Sequence, residues 1–193
     1  MKLELLTPPA GYPVTACELR THLWTIYPEK TTDEYLNLLI QAAVSHLETI
    51  TWRRFISQTW RLYLDAWPAG GIMLPYGAVS AIEAVRWLDK TGTDHQLISG
   101  DDYLSATNGP EPQVMPLDGC WPSGELFDVD SIRVDFTAGF GAAKDVPADI
   151  RHAIQMLAAH WYETREAVIV GTTVRKVPFA VDALINPWKI RFE

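Results

Sequence analysis

The spacing of hydrophobic residues changes twice along this chain, and that change limits the folds it can adopt. Apolar side chains in residues 36–50 recur with the period of an α-helix, whereas in residues 58–64 they alternate with polar side chains as in a half-buried strand. The helical spacing returns in residues 150–161. This order predicts an α+β fold: a helical core of about four helices, with a small antiparallel β region inserted between the second and third helices.

The first two predicted helices each begin with the residue spacing of a capping box. Thr15 and Glu18 have this spacing at the first helix, and Thr31 and Glu34 repeat it before the second. In a capping box the hydroxyl and the carboxylate each satisfy a backbone N–H that the first helical turn leaves unpaired. We therefore expect helices to begin just after Thr15 and just after Thr31.

The third and fourth predicted helices each follow a proline. Pro147 is tolerated in the first turn of a helix that we expect to end near residues 166–168, and Pro178 can open a short helix that runs through Leu184. The Asn186-Pro187 step should end this last helix, because the residue before a proline disfavours helical dihedral angles.

Turn residues divide the middle of the chain into further short strands. Beyond the strand at 58–64, we expect strands at residues 72–74, 79–88, 113–115 and 131–136. Gly139 and Gly141 should form the turn that ends the last strand. The proline-rich start of the chain is expected to be loop-like, and residues 100–124 to contain a long, ordered but irregular loop.

The chain is long and apolar enough to bury a substantial core. It has 193 residues, of which 48% are hydrophobic, and this composition excludes an intrinsically disordered protein. We expect a single domain over residues 1–193. It would comprise helical parts at 14–56 and 146–186, a β insertion at about 57–140 and a C-terminal tail at 187–193.

Charge and cysteine content exclude several further classes. A net charge of −8 argues against wrapping nucleic acid through its phosphates, although a passing contact with DNA stays possible. No stretch of the sequence is apolar for long enough to predict a membrane span or a signal peptide, so we expect a cytosolic protein. Cys17 and Cys120 form no metal-binding pattern and are expected to be small buried hydrophobes.

Motifs of catalysis and cofactor binding are incomplete, so we expect no cofactor. The sequence has no GxSxG, HExxH or P-loop pattern, and the Gly139-Phe140-Gly141 pair lacks the third glycine of a dinucleotide fingerprint. Asp101 with Asp102, and Asp128 with Asp130, lack the spacing of a calcium loop and are interpreted as solvated turn acids.

One face of the third helix keeps an enzymatic alternative open. His160, Glu163 and Glu166 recur there at helical spacing, and such groups could bind a metal ion or move a proton, with the 100–124 loop as a lid. Solvated ion pairs with the nearby Arg165 are the stronger interpretation, because a helix end rich in charges is usually hydrated.

The C-terminal tail alternates large apolar and cationic residues: Trp188, Lys189, Ile190, Arg191 and Phe192. Such a segment could add as a strand to another chain. It could equally pack against its own chain, and the sequence leaves both hypotheses open.

Taken together in order, short segments along nearly the whole chain resemble the tailed-phage head–tail connector proteins, also called adaptor or head-completion proteins, in their longer form with a β insertion. The segments that carry the resemblance are residues 36–55, 58–62, 72–75, 134–141, 146–154, 161–166 and 177–185. Two positions depart from the family pattern. Trp52 stands where the family usually has glycine after the second helix, and the Trp188–Phe192 ending differs from the shorter ending expected.

The resemblance implies a non-enzymatic virion protein of the neck, made in the host cytoplasm. Proteins of this family form a ring, generally of twelve copies, beneath the portal protein, and the next neck protein or the tail docks on it. The C-terminal residues Trp188, Lys189, Ile190, Arg191 and Phe192 are then the candidate portal contact. Trp161, Tyr162, Arg165 and Glu166 are candidates for contacts between subunits or with a partner. A different neck component, such as a stopper or tail-completion protein, is a further alternative.

Overall fold

The computed structural model of the protein describes residues 2–23, 32–107, 109, 111–164 and 179–190. The chain divides into two compact units. Met1–Ala10 with Ser57–Phe140 form a β unit, and Gly11–Ile56 with Gly141–Glu193 form a helical unit. The predicted α+β fold is confirmed, because helices and antiparallel sheets occupy separate parts of the chain. Whether the two units act as one connector domain stays a prediction.

The described residues of the β unit form two antiparallel sheets. A five-stranded sheet has the order β1-β2-β8-β4-β5, and a three-stranded sheet has the order β3-β7-β6. The strands are β1 (Lys2–Thr7), β2 (Gln58–Leu64), β3 (Ile72–Met73), β4 (Val79–Leu88), β5 (Asp94–Leu97), β6 (Tyr103–Ala106), β7 (Gln113–Pro116) and β8 (Ile132–Ala138).

Alternate residues of the large sheet form the core of the β unit. Leu62 of β2, Val85 of β4 and Val134 of β8 are all fully buried, and Val114 of the small sheet joins the same cluster. Successive side chains of a strand point to opposite faces, so the residues between these positions lie on the other face of the sheet.

Strands β1, β5 and β6 were not expected from the sequence. β1 lies in the segment predicted to be loop-like, yet it pairs antiparallel with β2 along most of its length. Most of its side chains are exposed, as on an edge strand, so its sequence lacks a clear apolar alternation. The predicted loop at 100–124 is likewise partly regular, because β6 and β7 pair within it.

In the helical unit the described residues form four α-helices: α1 (Ala16–His22), α2 (Asp33–Thr51), α3 (Ala148–Glu163) and α4 (Phe179–Ile185). α3 packs against the other three. The capping box at α1 is confirmed: the Glu18 N–H donates to the Thr15 hydroxyl, and the Thr15 N–H donates to the Glu18 carboxylate at 2.8 Å.

Three helix boundaries differ from the predictions. α2 is capped by Thr32, which has an extended backbone and accepts from the Tyr35 N–H at 3.4 Å; Thr31 lies outside the described residues. α3 ends at Glu163 rather than near 166–168, because Thr164 leaves the helical region with φ −104° and ψ 73°. α4 runs to Ile185, and a 3₁₀ turn at Asn186–Trp188 follows it.

The cysteine prediction was wrong, and the glycine prediction was right. Cys17 and Cys120 are both exposed. Cys17 lies on the exposed face of α1, whose buried residues are Ala16 and Leu19, and the position of a lone cysteine on a short helix cannot be read from its hydrophobicity alone. Gly139 and Gly141 follow β8 with φ values of 132° and 124°, which favour glycine at both positions.

Candidate interaction surfaces

The turn that ends α2 is held by a half-buried carboxylate. Glu48 accepts from the Phe55 backbone N–H at 2.8 Å and from the Arg54 guanidinium at 3.0 Å. Burial raises the pKa of Glu48 above its ordinary value, although both of these bonds act to lower it. Phe55 is fully buried, so the carboxylate closes the turn over a core residue.

Trp52 caps the end of α2 in a left-handed conformation. Its φ is 55° and its ψ is 33°, which is the geometry that a glycine usually supplies after a helix. The indole is 48% exposed. The departure from the family's glycine therefore keeps the turn geometry, at the cost of a side chain in a region that L-residues disfavour.

The described part of the C-terminal tail lies against this turn. The Ile190 N–H donates to the Thr51 carbonyl at 3.1 Å, and Arg53 Nε donates to the Trp188 carbonyl at 2.6 Å. Lys189 lies 3.5 Å from the Asp182 carboxylate of α4. Ile190 is buried and Trp188 is half-buried, whereas Arg191 and Phe192 lie outside the described residues. Residues 188–190 thus have defined partners within their own unit.

The end of α3 carries two of the candidate contact residues. Trp161 meets His46 edge to face with ring centroids 6.1 Å apart, and Tyr162 lies 6.1 Å from the Tyr35 ring. All four side chains are half-buried, so part of this aromatic group stays accessible. Arg165 and Glu166, which were predicted to complete the surface, lie outside the described residues.

A metal site receives no support from the part of the chain that the structure describes. No group of three or more His, Cys, Asp or Glu side chains is placed there to hold a metal ion. His160 is half-buried and Glu163 is exposed, and Glu166 is not described. Among the turn acids, Asp102 accepts from the Ile98 N–H at 2.7 Å and Asp130 pairs with Lys2 at 3.1 Å.

The residues that anchor the tail could not be found by sequence reasoning. Thr51 contributes only a backbone carbonyl, which any residue would supply. Arg53 lies far from Trp188 in the sequence, and no spacing links the two residues.

Among the described helices, none combines the length and apolar character that crossing a membrane requires.

Comparison with known proteins finds phage and phage-like neck proteins. A sequence model for the phage gp6-like head–tail connector protein family matches residues 130–189. Two solved structures are described as the neck of an empty gene transfer agent particle computed with C6 symmetry and the virion of a native gene transfer agent particle. They are 28% and 27% identical to the chain, with TM-scores of 0.82 and 0.83, and each match covers 100% of this chain and 97% of the other.

A third match has the same coverage, 28% identity and a TM-score of 0.79; it is described as the neck of a native gene transfer agent particle computed with C12 symmetry. No match was found among curated proteins. Because the likeness includes both the helical and the β unit, the chain is a structural protein of a virion neck. Within that class, the resemblance to the head–tail connector proteins is confirmed.

Proposed function

We propose that the chain assembles as a ring of identical subunits between the portal vertex of a phage-like particle and the next neck or tail component. The observation that carries this proposal is the match of the whole chain to necks computed with C6 and C12 symmetry. A ring of twelve copies is the arrangement that fits both symmetries. The subunit serves as a structural adaptor rather than as an enzyme.

The C-terminal tail is the proposed contact with the portal protein. The hydrogen bonds at Trp188 and Ile190 hold the described part of the tail against the end of α2, so the tail is anchored up to Ile190. A chain lacking residues 191–193 keeps these bonds and should fold normally but lose binding to purified portal protein. Unchanged portal binding by this truncated chain would contradict the proposed contact.

The acidic charge of the subunit suits a channel for DNA. With a net charge of −8 on each copy, a ring repels phosphates on average and would let double-stranded DNA slide without holding it. Fluorescence anisotropy with a short labelled duplex should show no binding at physiological salt. Tight binding that weakens steeply with salt would contradict a role limited to passing contact.

Self-association tests the ring directly. Light scattering of the purified chain, alone and mixed with portal protein, should give a mass of many subunits at least in the mixture. A strict monomer under both conditions would contradict the proposal.

A further inference from the structure

Residues that pair directly across the five-stranded sheet form one row in which three of five side chains are cationic. Lys2 of β1 pairs with Tyr63 of β2, Tyr63 with Arg133 of β8, Arg133 with Arg86 of β4, and Arg86 with Gln96 of β5. This row lies on the face opposite the buried core residues, since each member is adjacent in sequence to a core-facing position. The outer face of the sheet therefore presents a cationic line on an acidic protein.

Arg86 and Arg133 stand directly opposite each other at the centre of this row. Like charges in a directly opposed cross-strand pair destabilise a sheet unless an opposite charge lies near them. Among the described residues neither arginine has an ion-pair partner, and the buried Nε of Arg133 has no hydrogen-bond acceptor. Both side chains are half-buried, so their charge is only partly hydrated.

In the neighbouring row of the same face, a carboxylate neutralises the arginine. Arg61 donates two hydrogen bonds to the Asp135 carboxylate, at 2.6 and 2.8 Å. At the end of the cationic row, Lys2 pairs with Asp130 at 3.1 Å. The described chain thus supplies carboxylates to Arg61 and to Lys2, and leaves the central arginine pair without one.

An arginine pair favours a ligand with anionic oxygen atoms. The net charge of the subunit distinguishes between the two sources of such a ligand, DNA phosphates and protein carboxylates. Guanidinium groups bind carboxylates and phosphates through paired N–H donors. DNA would have to approach a subunit of net charge −8 and gain very few phosphate contacts, which is too few for useful affinity. A second copy of the chain offers exposed carboxylates elsewhere in the same β unit, at Asp101, Glu111, Asp118 and Asp128.

We propose that Arg86 and Arg133 bind carboxylates of the neighbouring copy of this chain in the ring. The outer face of the five-stranded sheet is then one of the two different, complementary faces that a head-to-tail ring contact requires. This inference rests on the proposed function and names the charge pairing that holds the ring subunits in register.

Removing the charges of Arg86 and Arg133 distinguishes a role in the subunit interface from a role in folding. In the double variant Arg86→Gln, Arg133→Gln, we expect self-association to weaken about tenfold or more, because a charge pair closed at an interface is lost. The melting temperature of the free subunit should stay the same or rise, since the repulsion between the two arginines is removed. Lys90→Gln is the matched control, because Lys90 forms an exposed pair with Glu125 in the same unit and should leave assembly unchanged.

Carbodiimide coupling identifies the partner group. Arg86→Lys places a primary amine in the row, and the reagent joins an amine to a carboxylate only when the two are in contact. We expect peptide mass spectrometry to find a cross-link from position 86 to an Asp or Glu of a second copy, distinguished by mixing isotopically labelled and unlabelled chains. A link found only within one chain would overturn the inference.

Three further outcomes would also overturn it. The double variant could assemble as tightly as the wild type, or it could lose folding stability in proportion to assembly. It could also assemble normally while losing affinity for a short DNA duplex, which would make phosphate the ligand. Failure of the wild-type chain to assemble would instead contradict the proposed function, and the inference with it.

Discussion

The backbone N–H of Ile190 lies 3.1 Å from the carbonyl oxygen of Thr51, the last residue of α2. The last residue that the structure describes is therefore hydrogen-bonded to the last residue of α2. The same short turn carries the left-handed Trp52, the arginine that binds the Trp188 carbonyl and the residue held by Glu48. The proposed portal contact would therefore depend on the stability of this turn, because the turn holds residues 188 and 190.

Removing the Arg53 side chain should loosen the tail. Arg53 Nε donates to the Trp188 carbonyl at 2.6 Å, and burial lowers the pKa of this guanidinium from its usual value. Arg53→Ala should cost about 1–3 kcal/mol in the free energy of unfolding, measured by urea denaturation. Arg20→Ala breaks a more exposed ion pair with Asp33 and should cost less than about 1 kcal/mol. Equal costs for the two variants would contradict the role given to Arg53.

The thermal stability of Trp52 variants should follow how well each new residue tolerates a positive φ. Trp52→Gly relieves a left-handed conformation that costs an L-residue about 1–2 kcal/mol, and it removes the contacts of an indole that is 48% exposed. Trp52→Val retains the strain and adds β-branching. Thermal melting should place the glycine variant at or above the wild type and the valine variant below it. A glycine variant less stable than the valine variant would contradict this account of the turn.

Glu48 and Glu18 should respond to pH with opposite signs. The folded state raises the pKa of Glu48, chiefly through burial, so its contribution is present below pH 4.5 and is lost as pH rises through the folded value. The folded state lowers the pKa of Glu18, chiefly through the Thr15 N–H, so its contribution is present above pH 4.5 and is lost as pH falls below it.

These opposite pH dependences are tested by measuring the unfolding free energy against pH for the wild type and for each glutamine variant. The unfolding free energy of wild type minus Glu48→Gln should fall between pH 4 and pH 7, and that of wild type minus Glu18→Gln should rise from low pH to neutrality. Slopes of the same sign for both differences would show that the assigned environments are wrong.

Gly141 should not tolerate a side chain. Its φ is 124°, and an added Cβ would lie 2.7 Å from the Asp145 carboxylate, which accepts from the Ala142 N–H at 2.9 Å. Gly141→Ala should therefore destabilise the protein by about 1–3 kcal/mol in chemical denaturation. Gly11→Ala is the control, because an added Cβ there meets nothing within 4 Å, and its effect should stay within about 0.5 kcal/mol.

Periodicity predicted the parts of the fold in which burial is strong. α2 and α3 bury the apolar positions of their helical pattern, and β4 lies where a strand was expected. The edge strand β1 was missed because its exposed side chains carry no alternation, and its identity depends on a partner far away in sequence. The α2 cap lies at Thr32, one residue later than predicted, because two adjacent threonines offer the same hydroxyl and the sequence does not distinguish them.

Candidate surfaces were harder to predict than helices, because they depend on register and on tertiary contacts. The opposition of Arg86 and Arg133 follows from how β4 and β8 align, and two register irregularities within that pairing change which residues face each other. The alternation of apolar and cationic residues made the tail a candidate in the sequence, but its contact with Thr51 is a backbone bond that no side-chain pattern encodes. Sequence alone could therefore name the segments without showing which atoms meet.

Electron cryomicroscopy of portal-bearing heads, purified with and without this chain, tests the central proposal most directly. We predict a ring of twelve copies beneath the portal, present only when the chain is supplied, with the C-terminal tails directed to the portal protein. Heads that bind no copies, or that bind single copies without contacts between them, would contradict the account.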